Sequence, residues 1–176
     1  MSYSFVVAAR ITISGEAFET WLDTPLPATV VIENPGDMFA GWYWDDRERP
    51  EDWSDAGTGI TPRELLALRD PEDTITLVRH RDGALEAYLW TPAQSGSWAT
   101  GQQRLLLMLA GAGGDGDVLF WEETDGSLPS EDSLLALLRV DAHGARFVED
   151  ALLGPILTAL KPAEDAFYAL IADAED

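Results

Sequence analysis

Gly111, Gly113 and Gly116 fall in the order G-x-G-x-x-G, the spacing that cradles a pyrophosphate where a strand turns into a helix. The residues that follow, Asp117-Val118-Leu119-Phe120-Trp121, alternate as a strand does, and Asp115 and Asp117 would repel phosphate. The segment is expected to be a loop ending a helix. Asp115 and Asp117 also open like a calcium loop, but Leu119 and Phe120 occupy the fifth and sixth positions, where an oxygen ligand and a glycine are required. His80-Arg81-Asp82 spells the start of a kinase catalytic loop, yet no asparagine follows and the triplet runs into a turn. With no cysteine and no G-x-S-x-G elbow, nucleophilic chemistry has only His80 and His143 as imidazole bases. Neither has a partner arrangement around it. No catalytic residue, cofactor or metal is therefore expected, and pairs among 32 acids arise by chance.

A different segment stands out. Between Trp42 and Asp55 lie three of the seven tryptophans, Trp42, Trp44 and Trp53, and six acids: Asp45, Asp46, Glu48, Glu51, Asp52 and Asp55. In a strand Trp42 and Trp44 share one face. Aromatic side chains dominate interface hot spots, and complementary charge steers a partner onto them. These nine residues are the candidate binding edge for a basic protein. The alternative is that the tryptophans are core and the loop a solvated connection. A second stretch, residues 105–138, has no base and carries Asp115, Asp117, Glu122, Glu123, Asp125, Glu131 and Asp132, which would extend the same surface.

The rest of the chain must position that edge. Residues 3–13 alternate as a half-buried strand, with Arg10 and Thr12 on the outer side. Ser14 can cap a short helix carrying Phe18, Trp21 and Leu22. Strands are expected over 28–33 and 38–44 around the turn Asn34-Pro35-Gly36-Asp37. Thr61-Pro62-Arg63-Glu64 forms a capping box with proline in the first turn. Asp82-Gly83 joins strands 74–81 and 84–91 as a hairpin. Residues 102–110 fit a helix better than a buried strand, and 117–123 a strand. Ser130 is placed to cap a helix through residue 138. Helix is also expected over 148–160, with a break or kink at Gly154-Pro155, and Pro162 is expected to open the last helix. The fold class is α+β: one domain over residues 1–176, a mostly antiparallel sheet with a central hairpin, and a helical C-terminal third packed on it.

Charge bounds the partners. The net is −21, divided −10 and −11 between the two halves of the chain, so the acidity is not confined to a tail. Nucleic acid and anionic membrane are disfavoured, and a basic protein is favoured. The absence of cysteine, of a leader sequence and of a long apolar run fits a cytoplasmic protein. One lysine among many arginines, alanines and leucines suggests a GC-rich genome. Adaptation to a salt-rich cytoplasm would also account for the acidity. In size, acidity and α+β character over its whole length, the chain resembles bacterial immunity proteins of polymorphic toxin systems. That resemblance implies a cytoplasmic inhibitor that occludes a basic, nuclease-like toxin domain without catalysis. The competing readings are an enzyme or small-molecule binder with a pocket around His80 or His143, and a housekeeping domain adapted to high salt.

Overall fold

The computed structural model describes residues 4–27, 31–39, 53, 59–69, 71, 74–92, 98–123, 129, 135–149 and 153–175. Strand β1 (Ser4–Thr12) leads into α1 (Gly15–Leu22), a 3-10 helix (Pro35–Phe39) and α2 (Pro62–Ala67). Then come β2 (Ile75–Arg81), β3 (Ala84–Pro92), α3 (Trp98–Ala110), β4 (Asp115–Glu123), β5 (Leu135–Asp141), β6 (Gly144–Val148) and α4 (Leu153–Glu175). The six strands form one antiparallel sheet in the order β2-β3-β1-β4-β5-β6. The fold is α+β, as expected, with the C-terminal helix on the sheet.

Local chemistry explains the elements that were anticipated. Ser14 accepts from the Ala17 amide at 3.0 Å and so satisfies one orphan donor of α1. Thr61 and Glu64 exchange both bonds of a capping box, with Pro62 inside the first turn. Asp82 and Gly83 adopt φ of 53° and 76°, the pair of left-handed conformations that a type I′ turn demands. The resulting β2–β3 hairpin lies mid-chain and forms one edge of the sheet.

Four expectations need correction. Residues 135–138, expected to continue a helix begun at Ser130, lie in strand β5, and Val148 belongs to β6. The last third is therefore a hairpin followed by a helix. Second, α4 is one helix across Gly154, Pro155 and Pro162. Pro155 lies in its first turn, where a missing N–H costs nothing. Pro162 is spanned because Ile156, Leu160, Ala163 and Phe167 bury one stripe on both sides of it. Third, Met38 and Phe39 lie in the 3-10 helix rather than a strand, and residues 40–44 fall outside the described set. In the segment 28–33 the described part makes only an isolated bridge, Ile32 with Ala145. Fourth, β1 is buried on both faces rather than one, with Val6 and Ala8 fully covered by α4.

Both faces of the sheet are thus packed over its central strands. One packs Phe5, Val7, Ile11, Leu85, Leu89 and Phe120 against Phe18, Trp21 and the leucines of α3. There Trp21 Nε1 donates to the Met108 carbonyl at 2.8 Å, satisfying the indole inside the core. The other face packs Val6, Ala8, Tyr88, Leu119, Trp121 and Leu137 against α4. No helix among the described residues is long and apolar enough to cross a membrane.

Candidate functional site: a charged row across the sheet

On the α4 side of the sheet, apolar residues give way to charge at one transverse line. In β1, Val6 and Ala8 are followed on the same face by Arg10, because side chains alternate. The register sets Glu86 of β3 and Asp117 of β4 on either side of Arg10. Arg79 of β2 stands opposite Glu86, Arg139 of β5 opposite Asp117, and Arg146 of β6 opposite Arg139. Six residues, one from each strand, form a continuous row of four arginines and two carboxylates. In a chain with only 11 bases and a net charge of −21, this is a local excess of positive charge.

The row changes character along its length. At its buried end Arg79 Nε donates to Glu86 Oε1 at 2.9 Å, and the Glu86 side chain is only 2% exposed. The same guanidinium reaches the Pro162 carbonyl at 3.4 Å, tying the row to α4 beside the proline. Further along, Arg139 Nε donates to Asp117 Oδ1 at 3.2 Å, with the arginine side chain 46% exposed. Arg146, at the far end, is exposed.

Beside that exposed end the β5–β6 turn closes on Asp141, whose Oδ1 accepts from the His143 amide at 2.7 Å and the Gly144 amide at 3.1 Å. The Glu33 amide donates to the Ala145 carbonyl at 2.8 Å, which fixes the 31–33 segment along the outside of β6. Between the two runs a cleft of about 530 Å³, lined by Val31, Glu33, Arg139, Asp141, His143 and Arg146 among others. A second groove of about 400 Å³ runs beside α1, with Glu16, Thr20, Trp21 and Thr24 along it.

Of the residues singled out from sequence, His143 lines the first cleft, while Trp53, the one described member of the expected binding edge, lines neither. Trp53 is core: it is 3% exposed and its ring lies 6.4 Å from that of Phe147. Trp42, Trp44, Asp45, Asp46, Glu48, Glu51, Asp52 and Asp55 lie outside the described residues. In the second acidic stretch Asp117 turns to Arg139, so it does not add to an open acidic face. His80 is structural, with Nε2 2.8 Å from the Ile13 carbonyl and its ring against Phe18. The glycine-rich segment leaves α3 as a turn over 111–114 and enters β4 at Asp115, so Gly116, expected in the loop, lies in the strand. Its glycines serve packing: a Cβ on Gly114 or Gly116 would stand 2.2 Å from the Thr12 carbonyl oxygen or 2.1 Å from that of Arg10. No group of histidine and carboxylate side chains suited to a metal ion occurs among the described residues.

Elsewhere the described acids sit mostly at the surface. Glu16, Glu19, Asp23 and Glu64 lie exposed on α1, α2 and the C-cap of α1. Arg63 bonds Asp23 at 2.8 Å and approaches Glu19 at 3.9 Å. That hydrogen bond to Arg63 holds the Asp23 carboxyl below its ordinary pKa. Arg69 is treated differently. It donates to the hydroxyls of Thr76 and Thr91 and to the carbonyls of Ile75 and Trp90, stapling the open end of the β2–β3 hairpin. Burial lowers its pKa to about 10, which still leaves it charged at neutral pH. Comparison of the chain with protein-family models, with curated proteins and with solved structures finds no match.

Proposed function

We propose that this chain is an inhibitor that binds a basic protein, in the manner of the immunity proteins it resembles, with a toxin domain as the target. One observation carries the reading: if each of the 11 bases neutralised one acid, the excess of 21 negative charges would remain. Such a field accelerates encounter with a positively charged cleft and does so over distances set by salt. A sheet packed on both faces over its central strands supplies a rigid body for docking, and the acids of the segment 45–55 are the contacts the sequence offers a basic partner. Inhibition then consists of occlusion, with no bond made or broken.

The test is a search beside this chain's gene for one encoding a basic toxin-like protein, co-expression with it, and titration of the purified pair. Rescue of growth is expected, together with an association rate that falls steeply as ionic strength rises. Replacing Asp45, Asp46, Glu48, Glu51, Asp52 and Asp55 by Asn or Gln should retain the circular dichroism of the fold and weaken the complex. Losing two carboxylates desolvated against bases would cost about 4 kcal/mol or more, since each such truncation costs roughly 2–5 kcal/mol. Absence of a complex, or a rate indifferent to salt, overturns the proposal. Unchanged affinity in the folded variant removes the acids of residues 45–55 from the interface.

A further inference from the structure

Arg139 and Arg146 stand directly opposite each other across β5 and β6, where side chains begin about 5 Å apart and like charges destabilise the pair. The arrangement is unexpected in a chain whose acids outnumber its bases 32 to 11. Asp117 takes one bond from Arg139 at 3.2 Å. No carboxylate among the described residues lies within ion-pair distance of Arg146, although Glu33 and Asp141 line the same cleft of about 530 Å³. That volume falls in the range of small-molecule sites, roughly 300–1,000 Å³. Two arginines therefore line one recess together with a histidine at the turn and two acceptor-only carboxylates.

We infer that the cleft between residues 31–33 and the β5–β6 turn binds the phosphate group of a small phosphorylated, hydroxyl-bearing molecule. A carboxylate offers two oxygens and is filled by one arginine fork. A phosphate monoester offers three oxygens and nearly two charges, so it can accept from Arg139 and Arg146 together and cancel their repulsion. Glu33 and Asp141 accept but do not donate hydrogen bonds when ionised, which suits the hydroxyls of a sugar-like body. The overall charge of −21 selects against polymers: each additional phosphate meets repulsion, whereas one phosphate held at two forks does not depend on the long-range field. The site is independent of the partner proposed above, and its test needs no partner.

Thermal unfolding is followed with ribose 5-phosphate, with unphosphorylated ribose, and with potassium chloride at matched ionic strength. Isothermal titration then measures affinity for the wild type, Arg146→Gln and Arg63→Gln. Ribose 5-phosphate should raise the midpoint above the chloride control, and ribose should not. Arg146→Gln should bind at least tenfold more weakly. Without ligand this variant should melt at or above the wild-type temperature, because the like-charged pair is gone, so a folding defect is separable from a binding defect. Arg63→Gln, altered at an arginine on α2, should bind as the wild type does. A chloride effect equal to that of ribose 5-phosphate, no heat of binding in the wild type, or equal affinity in Arg146→Gln overturns the inference.

Discussion

Glu86 is the residue whose replacement reads out the buried end of the charged row. Its side chain is 2% exposed and accepts from Arg79 at 2.9 Å, with Arg10 on its other side in the register. Removing one partner of a buried ion pair costs roughly 3–5 kcal/mol, because the other charge is left uncompensated. Two features reduce that here. The Arg79 side chain is 33% exposed, so water reaches it, and it keeps the Pro162 carbonyl. Glu86→Gln also preserves shape and one acceptor. The expected loss is about 2 kcal/mol, which for a chain of this size corresponds to a fall in Tm of about 4–8 °C. Arg79→Gln should cost more, about 3 kcal/mol, since it leaves a buried carboxylate rather than a half-wet guanidinium. The double variant Arg79→Gln/Glu86→Gln should cost well under the sum, because neither charge remains to be orphaned. Urea unfolding of the four proteins gives the cycle. By contrast Arg139→Gln, at the exposed pair with Asp117, should move stability by under about 1 kcal/mol. A Glu86→Gln variant within about 0.5 kcal/mol of wild type, or strictly additive costs, would refute the view that this pair is coupled inside the protein.

Gly101→Ala should stabilise by about 0.5–1 kcal/mol, since that α3 position is exposed with open space where a Cβ would stand, whereas Gly116→Ala should cost about 3 kcal/mol or more; chemical denaturation compares them directly. Tyr88 tests the α4 face. Burial, reinforced by Tyr168, Glu164 and Glu123, drives its phenol well above the ordinary value near 10, so its contribution to stability is complete below about pH 10 and is lost as pH climbs toward the folded-state pKa. In an alkaline absorbance titration part of the signal from the four tyrosines should appear only as the fold is lost, and full ionisation near pH 10 with the near-ultraviolet circular dichroism intact would contradict this burial.

Features decided within a few residues were legible before any coordinates. The caps at Ser14 and Thr61 depend on a side chain reaching its own helix, and Asp82-Gly83 carries its turn geometry in its own dihedrals. Strand β5 was not legible, because Leu135-Ala136-Leu137-Leu138 is good helix material and becomes a strand only by pairing with β4. A signal was nevertheless present: Asp141 three residues before Gly144, between two apolar runs, marks the turn that the Asp141 side chain closes. Helix α3 was expected over 102–110 by only a narrow margin over a buried strand, since residues 105–110 are buried all round and show no polar face to give a period. The charged row could not have been found from spacing. Its members run from Arg10 to Arg146, and only the register of six strands brings them into line.

The sheet order also constrains how the chain is made. Strand β1 has both edges and both faces covered, yet it precedes everything that covers it: Ser4 ends beside Glu123, 119 positions away. On a ribosome adding about 5–20 residues per second, roughly 4–15 seconds separate the synthesis of Thr12 from that of Ala84, where its first partner begins. During that interval the apolar run Phe5, Val6, Val7, Ala8 and Ala9 has neither of its strand partners, the kind of segment that pairs with neighbouring nascent chains. The high net negative charge opposes such encounters between identical chains. The same acidity that would attract a basic partner to the finished protein thus keeps its unfinished copies apart.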